Sequence, residues 1–483
     1  MYFWAMLNYT ISYSHFGDKR LNDRFIKIIE QLTTNIGGSI PACGVIWSQT
    51  KAIYRFLSNS CVSFTKILRL EQERLLHYFA TTGSLDSAEL EIVYHIQDTT
   101  TLNYSDQKGR FDLSCLNYID HRGFFLHTSL LLNCYKVLLG ILEQDIYSRS
   151  EQSLGSARGG GASVSKSLPV EAKESYRWVH HFETFQALVE AKPNCHGISI
   201  SDAESDFYEL FLAKRAKNVD LIVRLNHDHK IDDGTEKVLE SLNKQAVAGS
   251  AWITALKTDR HTPRDVELEI RYKKITLPVP ERLRWSASVP KTAKALYQKM
   301  AQEGQLTLYA VQAKEINAPA DVTPIEWTIL TTLPVKDYWD ALDAIQKYAI
   351  RWQIEIFHLA LKEGCAIEKL QLEKTNRLEN AIALYSIIAL KVVKLRYLAE
   401  NCPDEPMTIT GFSNENYLTL CSFLAVNYGV QLPRPDNPTV QQFTKALVLI
   451  AGGKPKNIGI RQLWKGLTKA DIIFKTAYAM KKE

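Results

Sequence analysis

The spacing of apolar residues changes character several times along the chain. In residues 15–70, Leu21, Phe25 and Ile28 recur three or four positions apart, which predicts short helices that each bury one face. From about residue 90 the pattern becomes that of strands, and helical stretches then alternate with short apolar strands. This order predicts an α/β fold. The predicted strands lie at 90–97, 126–133, 137–142, 196–201 and 219–225, and the predicted helices between them at 174–191 and 206–217.

The second half of the chain adds a β-rich stretch, a strand and a long helix. Strand-like runs separated by proline and basic residues occupy 230–325, and another strand follows at 326–332. Asp337 is placed to cap a long helix, and Gly364 is placed to end it. We therefore predict three domains. They are a helical domain at 1–70, an α/β domain at 71–365 with a β-rich insertion at about 230–325, and a helical domain at 366–483.

One strip of the predicted long helix is polar where a core helix would be apolar. Tyr348, Arg351, Glu355, His358 and Lys362 recur at helical spacing, with apolar residues on both sides of them. A polar strip between two apolar ones indicates charged groups at the edge of a cleft. A carboxylate between an arginine and a lysine suits the binding of a metal ion and phosphates together. The alternative is an ordinary Arg351–Glu355 pair, worth about 0.3–0.5 kcal/mol.

Two further carboxylates follow predicted strands. Asp98 comes after the first strand and Asp202 after the fourth. Because strands that finish together bring their ends close, Asp98 and Asp202 can share metal ions with Glu355. Such an oxygen-rich site favours Mg²⁺ or Mn²⁺, and two ions about 4 Å apart suit phosphodiester chemistry. The alternatives are that Asp98 starts a turn and that Asp202 caps the next helix.

Composition excludes several classes of protein. Of the 483 residues, 46% are hydrophobic and 23% are charged, as in ordinary globular proteins. The eight cysteines form no Cys-x-x-Cys pair, which argues against a structural zinc site and a secreted disulfide scaffold. The N-terminus lacks a basic region and a cleavage site, and the apolar run at 380–390 is too short to span a bilayer. We expect a cytoplasmic location without membrane association.

Positive charge is concentrated at both ends of the chain. The formal net charge is +5, with eight basic and three acidic residues in 1–70, and eight basic and two acidic in 452–483. Basic ends indicate contacts with a phosphate backbone, with solubility alone as the alternative. The N-terminal helices therefore form a basic module sized for duplex DNA. Its candidate DNA-binding residues are Arg20, Arg24, Lys27, Lys51 and Arg55.

Three motifs together carry a family resemblance. They are Gln97-Asp98-Thr-Thr, Ser201-Asp202-Ala-Glu-Ser-Asp206, and the signature Tyr-x2-Arg-x3-Glu-x6-Lys, which begins at Tyr348. In these motifs, and over nearly its full length, the chain resembles bacterial cut-and-paste DDE transposases of the insertion-sequence-four type. One departure is Ala203, where a near relative has an arginine, so one phosphate contact is expected to be missing.

The resemblance implies a fold and a set of site residues. The fold is an RNase-H-like (retroviral integrase-like) catalytic core with a β-rich insertion, flanked by helical N- and C-terminal domains. Trp327 corresponds to a tryptophan that stacks on a flipped base, and Arg224 is a candidate phosphate contact. Asp98, Asp202 and Glu355 would be the metal-binding catalytic triad, and Tyr348, Arg351 and Lys362 would hold DNA phosphates beside the cut.

The resemblance also implies a reaction and partners. The protein would bind terminal inverted repeats of double-stranded DNA as a homodimer, cut them with two Mg²⁺ or Mn²⁺ ions through a hairpin intermediate, and join them to target DNA. It would act at the bacterial nucleoid. Two alternatives remain. One is an inactive or domesticated transposase that only binds DNA or inhibits. The other is a two-carboxylate hydrolase such as a glycosidase, which a chelator would leave active.

Overall fold

The protein is a mixed α/β molecule that divides into two compact units. Unit 1 comprises Met1–Ser87, Thr99–Glu151 and Ile354–Glu483, and unit 2 comprises Ala88–Asp98 and Gln152–Gln353. The three predicted domain ranges remain a prediction. The computed structural model describes the chain except for residues 1–14, 35–38, 44–46, 82–90, 108–111, 150–170, 172, 193, 214, 232–233, 256–263, 279–304, 321, 455–457 and 481–483.

Strands and helices have the following bounds. The strands are β1 (Glu91–Asn103), β2 (Gly123–Leu132), β3 (Leu138–Tyr147), β4 (Cys195–Ser201), β5 (Val219–Arg224), β6 (Lys230–Ile231), β7 (Glu236–Lys237), β8 (Gly249–Ala255), β9 (Arg264–Pro278), β10 (Gln305–Glu315) and β11 (Glu326–Thr331). The helices are α1 (Lys19–Thr34), α2 (Ile40–Cys43), α3 (Trp47–Leu57), α4 (Phe64–Thr81), α5 (Tyr176–Glu190), α6 (Tyr208–Leu212), α7 (Val238–Asn243), α8 (Tyr338–Ala349), α9 (Trp352–Leu359), α10 (Thr375–Asn401), α11 (Asn414–Tyr428), α12 (Val440–Ile450) and α13 (Ile460–Met480).

Unit 2 is built on a mixed sheet. Within its described residues the strand order is β1-β4-β5-β11-β10-β9-β8. Strands β1, β4 and β5 are parallel, and every later pairing in that order is antiparallel. Helix α5 covers β4 closely: a Cβ atom on Gly197 would lie 2.8 Å from the side chains of Phe185 and Val189. A glycine at this position thus allows the helix to approach the sheet.

Strands are present in the described part of the predicted β-rich stretch 230–325, and its role as an insertion remains a prediction. Strands β8, β9 and β10 fall within 230–325, together with the small β6–β7 pair and α7. Strand β9 alternates buried and partly exposed residues along most of its length, so one face of this part of the sheet is apolar. Residues 256–263 and 279–304 of the stretch lie outside the described part.

Unit 1 is mainly helical. Its helices are α1–α4, most of α9 and α10–α13, and the antiparallel hairpin β2–β3 completes it. The core predicted for α1 is confirmed, since Phe25, Ile28 and Ile29 are buried. Helix α10 is buried along almost its whole length, including Lys394. No helix in the described residues combines the length and apolarity needed to cross a membrane.

Two predicted boundaries were wrong. Strand β1 does not end at Asp98 but continues to Asn103, because the following threonines favour the extended backbone over a turn. The helix predicted at 206–217 is reduced to the five residues of α6. Asp206 does not cap it, because the Asp206 carboxylate accepts hydrogen bonds from a later loop instead.

The long helix predicted between Asp337 and Gly364 is interrupted twice. Asp337 caps its start as predicted, by accepting from the backbone N–H groups of Trp339 and Asp340. At the end of α8, the N–H groups of Ile350 and Arg351 bond to carbonyls three residues back, which tightens the turn before α9. After α9 the backbone forms a π-helical turn, Ala360–Gly364. The polar strip is therefore divided among α8, α9 and the π-helical turn.

Candidate active site

Asp98 and Asp202 are neighbours in the sheet of unit 2. Strand β1 pairs with β4 in parallel, and the last paired residues are Gln97 and Ser201. Continued by one residue past the end of β4, this register puts Asp98 opposite Asp202, at the usual spacing between neighbouring strands of about 4.8 Å. Because side chains alternate along a strand, both point to the same face of the sheet. The sheet thus brings two of the three predicted triad residues together.

Arg351 joins these carboxylates from the end of α8. Its Nη1 donates to Oδ2 of Asp98 at 3.1 Å, and the two side chains are only 10% and 15% exposed. The guanidinium also lies over the ring of Tyr348, 5.9 Å from the ring centroid. This position depends on the tightened turn at Ile350 and Arg351, which directs the chain after Tyr348.

Tyr348 lies close enough to three charged side chains of unit 2 for each to act on its hydroxyl. Burial raises the pKa of its hydroxyl, and the negative charge of Asp202 raises it further, whereas Arg351 and Arg224 lower it. The ring of Trp327 meets the Tyr348 ring edge-on, with centroids 5.8 Å apart. By hydrogen-bond geometry the Tyr348 hydroxyl has no partner among the described residues. Unit 2 therefore groups six of the predicted site residues in one place.

Asp202 is held at the end of β4 without acting as a cap. Its backbone is extended, and its side chain makes no capping bond to the 3₁₀ turn Ala203–Ser205 that follows. Within the described chain, its buried Oδ1 atom has no hydrogen-bond partner. A buried oxygen of this kind is costly unless a donor or a cation satisfies it.

Asp206 fixes the loop that follows β5. Its Oδ2 accepts from the backbone N–H groups of Asn226 and His227 at 2.7 and 2.9 Å, and its Oδ1 accepts from Nε2 of His229 at 2.7 Å. Since β5 ends at Arg224, the anchored loop begins directly beside this arginine. Asp206 is the last residue of the motif that begins at Ser201, and no role was predicted for its side chain.

In unit 1, Glu355 and Lys362 line one cleft. Glu355 is on α9, and Lys362 lies in the π-helical turn, where Nζ is 3.8 Å from Oε1 of Glu368. Directly after this turn Ala366 adopts a left-handed backbone with φ of 51°. π-Turns and such strained residues occur often at functional sites. The cleft is also lined by His358, Leu359, Glu363, Lys369, Arg461, Trp464 and Lys465.

Sequence reasoning missed three basic residues of this cleft. Lys369, Arg461 and Lys465 face it together with Glu355. Arg461 forms an ion pair with Glu363. The signal for Arg461 and Lys465 was the basic character of 452–483, which the sequence shows without indicating where these residues fold.

The basic residues of the N-terminal helices lie at the surface. Lys27, Lys51 and Arg55 are exposed, and Arg24 is half-buried. Arg20 is exposed too, but its guanidinium is bound to Asp18. The ion pair with Asp18 raises the pKa of Arg20.

Two parts of the chain match known protein families. Residues 5–62 match the family described as Transposase DNA-binding, and residues 176–390 match the family described as Transposase DDE domain. The chain carries a transposase DNA-binding domain and a DDE transposase domain. The two domains support a DNA transposase, and a DDE domain implies an enzyme that acts on DNA. The DDE match includes Asp202 and Glu355, whereas Asp98 precedes its first residue.

Asp202, within the DDE match, and Asp98, which precedes it, fit a divalent cation. Asp202 offers a buried oxygen that lacks a partner, and its neighbour Asp98 offers a second carboxylate, the hard ligands that Mg²⁺ and Mn²⁺ prefer. Among the described residues, no group of three or more His, Cys, Asp or Glu side chains is placed to hold a metal ion. Asp98 is engaged by Arg351 instead.

Proposed function

We propose that the protein is a cut-and-paste DNA transposase of the insertion-sequence-four type with an RNase-H-like core. The single observation that carries this proposal is the placement of Asp202. It directly follows β4, opposite Asp98 in the continued strand register, has a buried oxygen without a described partner, and acts electrostatically on Tyr348 together with Arg224 and Arg351. Carboxylates among arginines suit phosphodiester chemistry better than sugar hydrolysis, since DNA backbones carry negative charge.

Each side chain then has a defined role. Asp98, Asp202 and Glu355 would hold two Mg²⁺ or Mn²⁺ ions, which activate an attacking oxygen and stabilise a leaving oxygen when bound. Arg351 binds phosphate through two parallel N–H donors, and Lys362 acts as a point charge. Tyr348 supplies a hydroxyl donor from its buried position, and it is not a nucleophile.

The DNA steps follow as in-line transfers at one site. One strand is cut, the freed 3′-hydroxyl attacks the opposite strand to give a hairpin, the hairpin is opened by water, and the ends attack target DNA. The half-buried ring of Trp327, edge-on to Tyr348, offers a platform for the base that a hairpin displaces. Arg224 contacts a nearby phosphate.

The N-terminal module recognises the DNA ends. Arg24 and the exposed Lys27, Lys51 and Arg55 lie within the matched DNA-binding region and contact the phosphate backbone. Arg20 contacts the phosphate backbone once its ion pair with Asp18 is broken. Two protomers pair two ends in the active complex, as a homodimer at the nucleoid.

A cleavage assay tests the proposal, with DNA that carries the terminal inverted repeats of the transposable element encoding this protein. We expect Mg²⁺-dependent nicking by the wild-type protein, loss of nicking with a chelator, and loss of nicking in Glu355→Gln and Asp202→Asn. The matched control is Asp404→Ala, which changes an exposed carboxylate outside the site and should cut normally. Nicking by Glu355→Gln at the wild-type rate would remove Glu355 from the triad. Binding without any cleavage by the wild-type protein would favour an inactive, DNA-binding relative instead.

A further inference from the structure

The Asp98–Arg351 ion pair occupies a ligand position that the proposed chemistry needs. Oδ2 of Asp98 accepts from Nη1 of Arg351 at 3.1 Å, and both side chains are largely enclosed by protein. Enclosed charges attract each other more strongly than exposed ones, because little water screens them. The pair is therefore a stable feature of unit 2 rather than a loose surface contact.

The neighbouring carboxylate, Asp202, differs from Asp98 in its hydrogen bonding. Oδ1 of Asp202 is buried and has no partner among the described residues, although it lies one strand away from Asp98. A cation approaching Asp202 would also meet the positive charge of Arg351 at Asp98. The two neighbouring carboxylates thus differ: Oδ1 of Asp202 suits a cation, whereas Oδ2 of Asp98 is bound to a guanidinium.

A DNA phosphate is a natural competitor for the guanidinium. Arginine binds phosphate oxygens through two parallel N–H donors, and charge-assisted bonds of this type are among the strongest hydrogen bonds in proteins. If a phosphate takes Arg351, Asp98 loses this ion pair and its Oδ2 can turn to a cation, while the phosphate cancels the repulsive charge. Binding of DNA and binding of metal would then favour each other.

We propose that Arg351 acts as a latch on Asp98, which restricts divalent-cation binding until a DNA phosphate engages the guanidinium. This inference rests on the proposed function and deepens it by giving the order in which the site is assembled. It makes Arg351 a positioning residue that acts through Asp98, in addition to its contact with DNA. The latch keeps the metal site incomplete until a DNA backbone phosphate lies against Arg351. Cleavage therefore starts only when the DNA backbone is correctly placed.

Metal binding without DNA is the direct test. We would titrate the purified protein with Mn²⁺ and follow the electron paramagnetic resonance signal of the free aquo ion. Arg351→Gln should bind Mn²⁺ about tenfold more tightly than the wild-type protein, since the positive charge that occupies Asp98 and repels a second cation is gone. Arg351→Met, which keeps the apolar stem over Tyr348, provides a second neutral variant should Arg351→Gln not fold.

Two further variants test the part played by the positive charge and the part played by Asp98. Arg351→Lys keeps the positive charge and should bind Mn²⁺ close to the wild-type affinity. The double variant Arg351→Gln, Asp98→Asn should lose the gain, because the released ligand is no longer a carboxylate. Wild-type affinity in both neutral variants, or a gain that persists in the double variant, would overturn the latch.

The outcome is independent of the cleavage assay. A transposase that cuts its ends while Arg351→Gln binds Mn²⁺ like the wild-type protein keeps the proposed function and loses the latch. A protein that never cuts DNA but shows the expected Mn²⁺ pattern loses the proposed function, and the control of Asp98 by Arg351 stands.

Discussion

Replacing Asp206 should destabilise unit 2 far more than its size suggests. The side chain is fully enclosed, and its carboxylate accepts three hydrogen bonds, from Asn226, His227 and His229. Asp206→Ala removes all three and leaves two backbone N–H groups without an acceptor. Breaking a buried charged network in this way costs about 3–5 kcal/mol. Asp206→Asn keeps the shape and can keep the bonds in neutral form, so we expect a loss of about 1–2 kcal/mol.

The assay is urea-induced unfolding followed by tryptophan fluorescence, with the unfolding free energy compared among variants. Asp404→Ala is the control, because an exposed carboxylate should change stability by less than about 0.5 kcal/mol. Because the loop begins beside Arg224, Asp206→Ala should also weaken DNA binding in the folded protein. The reasoning fails if the alanine variant lies within 1 kcal/mol of wild type, or if the asparagine variant is as unstable as the alanine variant.

Two further predictions concern buried titratable groups. Burial, assisted by the charge of Arg74, lowers the pKa of Lys394 well below its usual value, so the unfolded chain binds a proton that the folded protein lacks. Wild-type stability should therefore rise as the pH increases towards 10.5, whereas Lys394→Met should lose this slope and gain about 1–3 kcal/mol at pH 7 in thermal melts. Burial opposes ionisation of Asp220, but hydrogen bonds from His196 and Thr332 outweigh it and lower the pKa of this carboxyl. Asp220→Asn should be about 1–3 kcal/mol less stable at pH 7, and in melting curves the difference should begin to shrink below pH 3.8 and vanish once the pH is below the lowered pKa of the folded protein; a constant difference would contradict this assignment.

Much of the fold follows from residue spacing alone. The helix α5, the strands β4 and β5, and the cap at Asp337 lie where the sequence predicts them, because each has a strong local signal. The placement of Asp202 after β4 was also predictable, since an apolar strand ends there in a polar residue. These features depend on neighbours within a few positions.

The features that sequence missed depend on distant partners. Asp206 accepts hydrogen bonds from residues about twenty positions later, and no local pattern reveals that choice over capping α6. Similarly, Arg351 and Asp98 are far apart in the chain, and the ion pair requires the turn at the end of α8. Helical periodicity could not reveal that turn, because the apolar residues on both sides continue the same spacing.

The π-helical turn at Ala360–Gly364 determines what the deletion of one residue would do to this part of the chain. A π-helical turn contains one residue more than an α-helical turn of the same rise. Loss of a single residue here would restore a regular helix, and the chain after the turn would keep its direction relative to Glu355 because the extra residue is confined to the turn. The side chains inside the turn, including that of Lys362, would instead change their direction. Length, and not only residue identity, should therefore be under selection at this point of the chain.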